Sequence, residues 1–256
     1  MQENFVIHPA YAAKAEDLRA FLNNFATQGE YVVEGARNII KKVVLGNEVF
    51  NVKQFKSPSI GQALVYRFFR KSKAKRSFEY AERLLKCKIA TPAPVGYLEI
   101  FGVGLKTSFY ISKHVDYDFD FRALIHQPKF EHRAEILKQF AGFCFAMHQA
   151  GINFLDHSPG NTLVCKTGAQ AYSFYLIDLN RMRFEPMDLD ARMHNLRRLW
   201  LSKTMIRSIA MHYAVLGKHP VSKVEELLLK HSKRFQNKVN LRKLRRRSRA
   251  FRNRHS

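Results

Sequence analysis

One spacing constrains this chain more than any other. Asp156 is followed five residues later by Asn161, and a second acid, Asp178, comes directly after the apolar run Tyr175-Leu176-Ile177. Between them lie the turn formers Ser158, Pro159 and Gly160 and a further apolar run, Thr162-Leu163-Val164. The order is loop, strand, loop, strand, acid. It matches the layout of a phosphoryl-transfer site. There, one Asp takes the proton of an acceptor hydroxyl, while an Asn and a second Asp hold magnesium against nucleotide phosphates. Alone, the segment from Asp156 to Asn161 reads equally well as a polar turn. Asp178 at the end of a strand tips the balance toward a site.

A second set of residues lies in the first half. Gly46-Asn47 is a good two-residue hairpin turn, so Asn38 to Leu45 and Glu48 to Phe55 read as paired strands. Lys53 sits on the return strand in Val52-Lys53-Gln54-Phe55, where a lysine can point into a cleft and grip phosphates. It needs a glutamate on the next helix to hold it, and both Glu79 and Glu82 lie there. Any one of these residues is more simply a solvated charge. The ordered set of Lys53, a helical Glu, Asp156, Asn161 and Asp178 is not.

Around these residues the pattern predicts a small β-rich half and a mostly helical half. An amphipathic helix is expected over residues 10–25, with Leu18, Phe21, Leu22 and Phe25 on one face. A strand at 31–33, the hairpin, a helix over 67–88, and strands at 94–99 and 108–114 follow. Pro58 and Gly61 read as a break. The second half predicts helices over 131–149, 189–201, 203–216 and from 222 onward, with strands near 162–165 and 172–177.

Composition closes several alternatives. Three cysteines without CxxC spacing argue against a disulfide framework or a zinc site. Eleven histidines show no HExxH-type spacing. No run approaches the ~20 apolar residues of a membrane span, and the start, Met1-Gln2-Glu3-Asn4-Phe5, is not a signal peptide. The expectation is a cytoplasmic protein. A formal net charge of +23 calls for a polyanionic partner. The cations concentrate in residues 67–76 and 231–256, the latter with eleven Lys/Arg and no acid. That tail reads as a helix extension or a disordered arm. No motif of specific nucleic-acid recognition is present.

The residues carrying a family resemblance are Gly35-Ala36-Arg37-Asn38, Val52 to Phe55, Arg70 to Glu79, Thr91-Pro92-Ala93-Pro94, Met147 to Ile152, Asp156 to Asn161, Ile177 to Arg181 and Asn195 to Leu199. With them the chain resembles the protein-kinase-like superfamily. Within it, the chain is similar to the bacterial lipopolysaccharide kinase family, the inner-core kinases of Kdo or heptose.

The resemblance implies an α+β, two-lobed kinase-like fold: residues 1–115 as the β-rich lobe with one long helix, 116–230 as the helical lobe, and 231–256 as a basic tail. It implies ATP and Mg2+ as cofactors. Lys53 would hold the α- and β-phosphates and Glu79, thirteen residues before Pro92, would orient it. Gly35, Arg37 and Asn38 would belong to the loop over the nucleotide. Asp156 would be the base, with Asn161 and Asp178 as metal ligands. The implied partner is a lipopolysaccharide or lipid A core precursor on the anionic inner face of the inner membrane. A kinase of another acceptor, or a pseudoenzyme binding anions through its tail, are the competing expectations. The chain departs from the superfamily pattern at Phe154, where a His is usual, in its lack of GxGxxG, and at Asp178-Leu179-Asn180.

Overall fold

The computed structural model describes residues 1–34 and 38–252. The chain divides into two compact units. The first comprises Met1–Asp116 and Leu176–Asn180; the second comprises Tyr117–Tyr175 and Arg181–Ser256.

The first unit is built on a six-stranded antiparallel sheet. Its strands are β1 (Gln2–Ile7), β2 (Glu30–Glu34), β3 (Asn38–Leu45), β4 (Glu48–Phe55), β5 (Pro94–Phe101) and β6 (Leu105–Lys113), in the order β1-β5-β6-β4-β3-β2. The expected hairpin forms, with Leu45 opposite Glu48 and Gly46 at a φ of 62°, a value that suits glycine. Period-two alternation on β4 buries Phe50 and Val52 against Leu18, Phe21 and Leu22 of α1 (Ala15–Asn23). Lys53, one step out of phase, is turned to the other face.

Three elements differ from the sequence expectation. Strand β1 was not anticipated: it is an edge strand whose first two residues are exposed and whose other four are all half-buried, so it carries no alternation signal. The helix expected over 67–88 is two helices. They are α2 (Ile60–Phe68) and α3 (Lys73–Lys86), and Ser72 separates them by accepting a hydrogen bond from the Lys75 amide at 3.1 Å. Pro58 and Gly61, read as a break, instead flank the start of α2.

Lys41 on β3 is fully buried, yet its charge is satisfied. Its Nζ donates to the carbonyls of Phe25 (2.6 Å), Ala26 (3.1 Å) and Gln28 (2.8 Å), just beyond the end of α1. The ammonium also lies 4.4 Å from the Tyr31 ring centroid. One side chain thus ties the sheet to the chain leaving α1. Lys41→Met keeps the stem and orphans three carbonyls. It should destabilise the protein by roughly 2–4 kcal/mol, measured as a lowered denaturant midpoint with unchanged slope.

The second unit is mostly helical. It contains β7 (Phe119–Asp120), α4 (Arg122–His126), α5 (Arg133–Gln149), β8 (Ile152–Phe154), β9 (Thr162–Lys166), β10 (Tyr172–Leu176), β11 (Met182–Phe184), α6 (Leu189–Leu196), α7 (Lys203–Gly217) and α8 (Val221–Arg252). Two small sheets, β10-β9-β7 and β11-β8, complete it. The apolar stripe of α5 (Ile136, Leu137, Phe140, Cys144) packs into one core with Met205, Ile209 and Tyr213 of α7 and Val224 and Leu228 of α8. Helix α6 stops at Leu196, short of the expected 201, because the chain tightens into a 3-10 turn and Trp200 adopts a left-handed φ of 56°. The basic tail continues α8. Phe235 packs edge-on to Trp200 at 5.9 Å, and Lys243 lies over the same ring at 5.6 Å.

A neutral polar network holds β8 to α5, α6 and α7. The Asn195 amide nitrogen donates to the Phe154 carbonyl (2.9 Å) and to Asn153 Oδ1 (3.0 Å). Its oxygen therefore faces His148 Nε2 (3.3 Å) and His157 Nδ1 (3.1 Å), and both must carry hydrogen. With the rings neutral, the Tyr213 hydroxyl donates to His148 Nδ1 at 2.9 Å. His148 and His157 are thus both core residues.

Burial pushes His148 down to about 3 and His157 down to about 4, from an ordinary 6.5. The unfolded chain therefore binds more protons than the folded one below pH 6.5, and stability falls as pH falls. Together the two rings should make the protein roughly 2–3 kcal/mol less stable at pH 5.5 than at pH 7.5. Calorimetric melts across that range test this, and a flat profile would contradict it.

Candidate functional site

The second unit carries Asp156 and Asn161 on the loop between β8 and β9. Pairing of β8 with β11 puts Phe154 opposite Met182, and the Leu155 amide donates to the Arg181 carbonyl at 3.0 Å. The Asp156 carbonyl accepts from the Ser158 amide (2.6 Å) and from Asn161 Nδ2 (2.9 Å). The segment is thus a tight turn as well as a candidate site, and the turn fixes the Asn161 amide with its nitrogen inward. Phe154, at the place usually held by His, is buried and stacks on His157 with ring centroids 5.6 Å apart. His157 in turn bonds Asn195, so the loop is anchored from the position after Asp156.

Three guanidinium groups surround this loop. Arg198 Nη2 lies 3.0 Å from Asp156 Oδ1, and Arg181 Nη1 lies 3.3 Å from Oδ2. Arg122 lies flat against Gly160, so closely that a Cβ there would overlap its guanidinium. That contact explains why glycine occupies the position. The Asp156 carboxylate is mostly but not fully shielded, at 21% side-chain exposure, which leaves one edge open for a reactant.

The first unit carries Lys53 and Asp178. Lys53 Nζ donates to Asp178 Oδ1 at 2.7 Å, and Asn180 Nδ2 donates to the same oxygen at 2.6 Å. Asp178 has a φ of 58°, a left-handed conformation that is costly for a residue with a Cβ. Its short segment is pinned at both ends. The Leu176 amide donates to the Ala90 carbonyl (3.0 Å), Thr91 Oγ1 donates to the Leu176 carbonyl (2.7 Å), and Arg76 Nη1 donates to the Asn180 carbonyl (2.8 Å).

The Lys53–Glu79 pair expected from the sequence is not formed among the described residues. Glu79 instead receives Lys71 Nζ on both oxygens at 2.8 Å. The physical reason is proximity: Lys71 precedes the cap of α3 and reaches back along the helix, while Lys53 finds its counter-charge in Asp178. Glu79 therefore stands as an exposed helical pair and Lys53 as half of the more buried one. Asn38 opens β3 opposite Phe55. Gly35 and Arg37, expected in a loop over the nucleotide, lie outside the described residues.

Sequence reading singled out neither Arg76, Thr91 nor Asn195 individually. Arg76 looks like one more cation of a solvated run, yet it is buried with its side chain on a backbone carbonyl. No local signal separates it from Lys73 or Lys75. Arg122 had one indirect signal, Gly160, whose missing side chain makes room for it.

The second unit supplies a carboxylate flanked by guanidinium groups and an oriented amide; the first supplies an ion pair on a conformationally strained acid.

No curated protein sequence matches the chain. Solved structures that resemble it include WaaP in complex with acyl carrier protein, at 17% identity and a TM-score of 0.66, covering 92% of this chain and 98% of that one. That likeness shows the fold, a mixed α/β kinase-like architecture with an antiparallel sheet in its first part and helices in its second. Residues 52–214 match the lipopolysaccharide kinase (Kdo/WaaP) family, and the matched span includes Lys53, Asp156, Asn161 and Asp178. The chain belongs to the lipopolysaccharide kinase (Kdo/WaaP) family.

Proposed function

We propose that this chain transfers the γ-phosphoryl group of ATP, with Mg2+, to a sugar hydroxyl of Kdo or heptose in the lipopolysaccharide inner core. The observation that best supports the reading is the Lys53–Asp178 ion pair. Two charges 125 residues apart, assigned by sequence order to phosphate and metal, meet at 2.7 Å.

Asp178 and Asn161 suit magnesium because both offer hard oxygen donors. The Asn161 nitrogen is spent on the Asp156 carbonyl, which leaves the amide oxygen as the outward acceptor. Bound magnesium would neutralise phosphate charge as the reaction proceeds. Lys53 grips the α- and β-phosphate oxygens. Asp156 accepts the proton of the acceptor hydroxyl while that oxygen attacks the γ-phosphorus and the bond to the bridging oxygen of ADP breaks. Glu79 remains the proposed partner of Lys53 in the nucleotide-bound protein, exchanging Lys71 for it. Gly35, Arg37 and Asn38 remain proposed for the nucleotide loop.

Arg122, Arg181 and Arg198 give the acceptor side a strongly positive character. An acceptor that already carries carboxylate or phosphate groups fits it. Such a substrate is anchored by lipid A in an anionic surface, and the eleven cations of residues 231–256 are proposed to attract the protein to the inner face of the inner membrane.

Three variants test this reading. Asp156→Ala should lower transfer to dephosphorylated core saccharide by at least about 10²-fold with nucleotide affinity largely kept, whereas Asp178→Ala should abolish metal-dependent nucleotide binding in calorimetry. Turnover like wild type in either variant contradicts the assignment. Arg198→Ala should raise the acceptor KM several-fold and leave nucleotide affinity unchanged. A rise in nucleotide Kd alone would move Arg198 out of the acceptor site.

A further inference from the structure

Helix α2 is apolar and has no buried residue. Ile60 is 85% exposed, Phe68 66% and Phe69, its C-cap, 86%; Leu64 and Val65 are exposed as well. Ile60, Leu64 and Phe68 recur at every fourth position and so form one stripe. A soluble helix normally hides such a stripe, and contiguous exposed apolar surface marks an interaction site.

The helix does not stand alone. Arg67 Nη1 donates to the Gly102 carbonyl at 2.7 Å, in the turn between β5 and β6, and its guanidinium lies 5.8 Å from the Phe101 ring centroid. Ala63 approaches the backbone at Gly104 so closely that a Cβ there would sit 2.8 Å away from it. The same turn presents Val103 at 85% exposure. Helix and turn therefore make one apolar surface fixed to the sheet.

Cations dominate its surroundings. From Lys56 to Lys75 the sequence has six Lys/Arg and no acid, and Lys56, Arg67, Arg70 and Lys71 are exposed. Lys71 is held by Glu79, and Lys106 adds a cation beside the turn. Aromatic and aliphatic tips ringed by cations are complementary to the interfacial layer of an anionic bilayer, where acyl chains accept the former and phosphates the latter. A second copy of this chain would bring the same cations and a net charge of +23 to the contact, and repulsion disfavours it.

We propose that α2 and the β5–β6 turn form a membrane-docking surface, with Ile60, Leu64, Phe68, Phe69 and Val103 entering the interfacial layer and Lys56 and Arg70 binding lipid phosphates. None of the residues substituted below is among those proposed for phosphoryl transfer or in the basic tail, and binding can be read without turnover.

The test is flotation of the full-length protein with vesicles of phosphatidylglycerol and phosphatidylethanolamine, compared with phosphatidylcholine alone. Wild type should float with the anionic vesicles and bind the neutral ones at least tenfold more weakly. Phe68→Ser with Phe69→Ser should reduce anionic binding about tenfold or more, with unchanged far-UV circular dichroism, since both side chains are exposed. Ile60→Ser with Leu64→Ser should act in the same direction. Lys56→Glu with Arg70→Glu should also weaken binding. Flotation that survives both apolar pairs overturns the proposal and leaves simple electrostatic attraction. So does a wild-type protein that ignores anionic vesicles and binds only an acidic soluble protein.

Discussion

The ion pair of Lys53 and Asp178 is the constraint on which the first unit's chemistry rests. Burying either charge alone would cost several kcal/mol, so each needs the other to stay partly desolvated. Asp178 also sits in a left-handed backbone conformation, which costs about 1 kcal/mol or more for such a residue. The cost is borne because the segment is over-determined. Arg76 and Thr91 fix its two ends, and Asn180 and Lys53 fix its carboxylate. A strained acid held this firmly has little freedom to wander from the cation that neutralises it.

The second unit solves the same positioning problem without charge. Asn195 joins Asn153, Phe154, His148 and His157 through one amide, and both imidazoles stay neutral. Only the solvent side of the loop is ionic, where arginines surround Asp156. The charged contacts of Asp156 thus come from arginines, and the network that holds its loop adds no charge of its own. A buried charged histidine in place of the neutral pair would cost desolvation energy.

The paired strands of the first unit were legible because their signals are local. The Gly46-Asn47 turn fixes the β3–β4 register, and alternation of Phe50 and Val52 names the inward face, so Lys53 follows. Asp156, Asn161 and Asp178 were singled out by their spacing, and their proposed roles came with the family resemblance. What could not be read depends on partners distant in the chain. Whether Lys53 pairs with Glu79 or Asp178 is decided in three dimensions, as is the difference between buried Arg76 and its half-buried neighbours Lys73 and Lys75. Short or edge elements such as β1, β8 and β11 also escape, because three to six residues carry too little periodicity. The split of one expected helix at Ser72 had a visible cap signal, but the basic run around it reads as continuous helix.

The first unit borrows residues 176–180 from far down the chain, and this bears on the order of assembly during synthesis. Arg76 is made 104 residues before the carbonyl that it binds in the finished protein. Until Asn180 leaves the ribosome, all six strands of the N-terminal sheet are made, but Lys53, Arg76 and Thr91 lack their partners on residues 176–180. The contacts of the first unit are therefore complete only once Asn180 has been made.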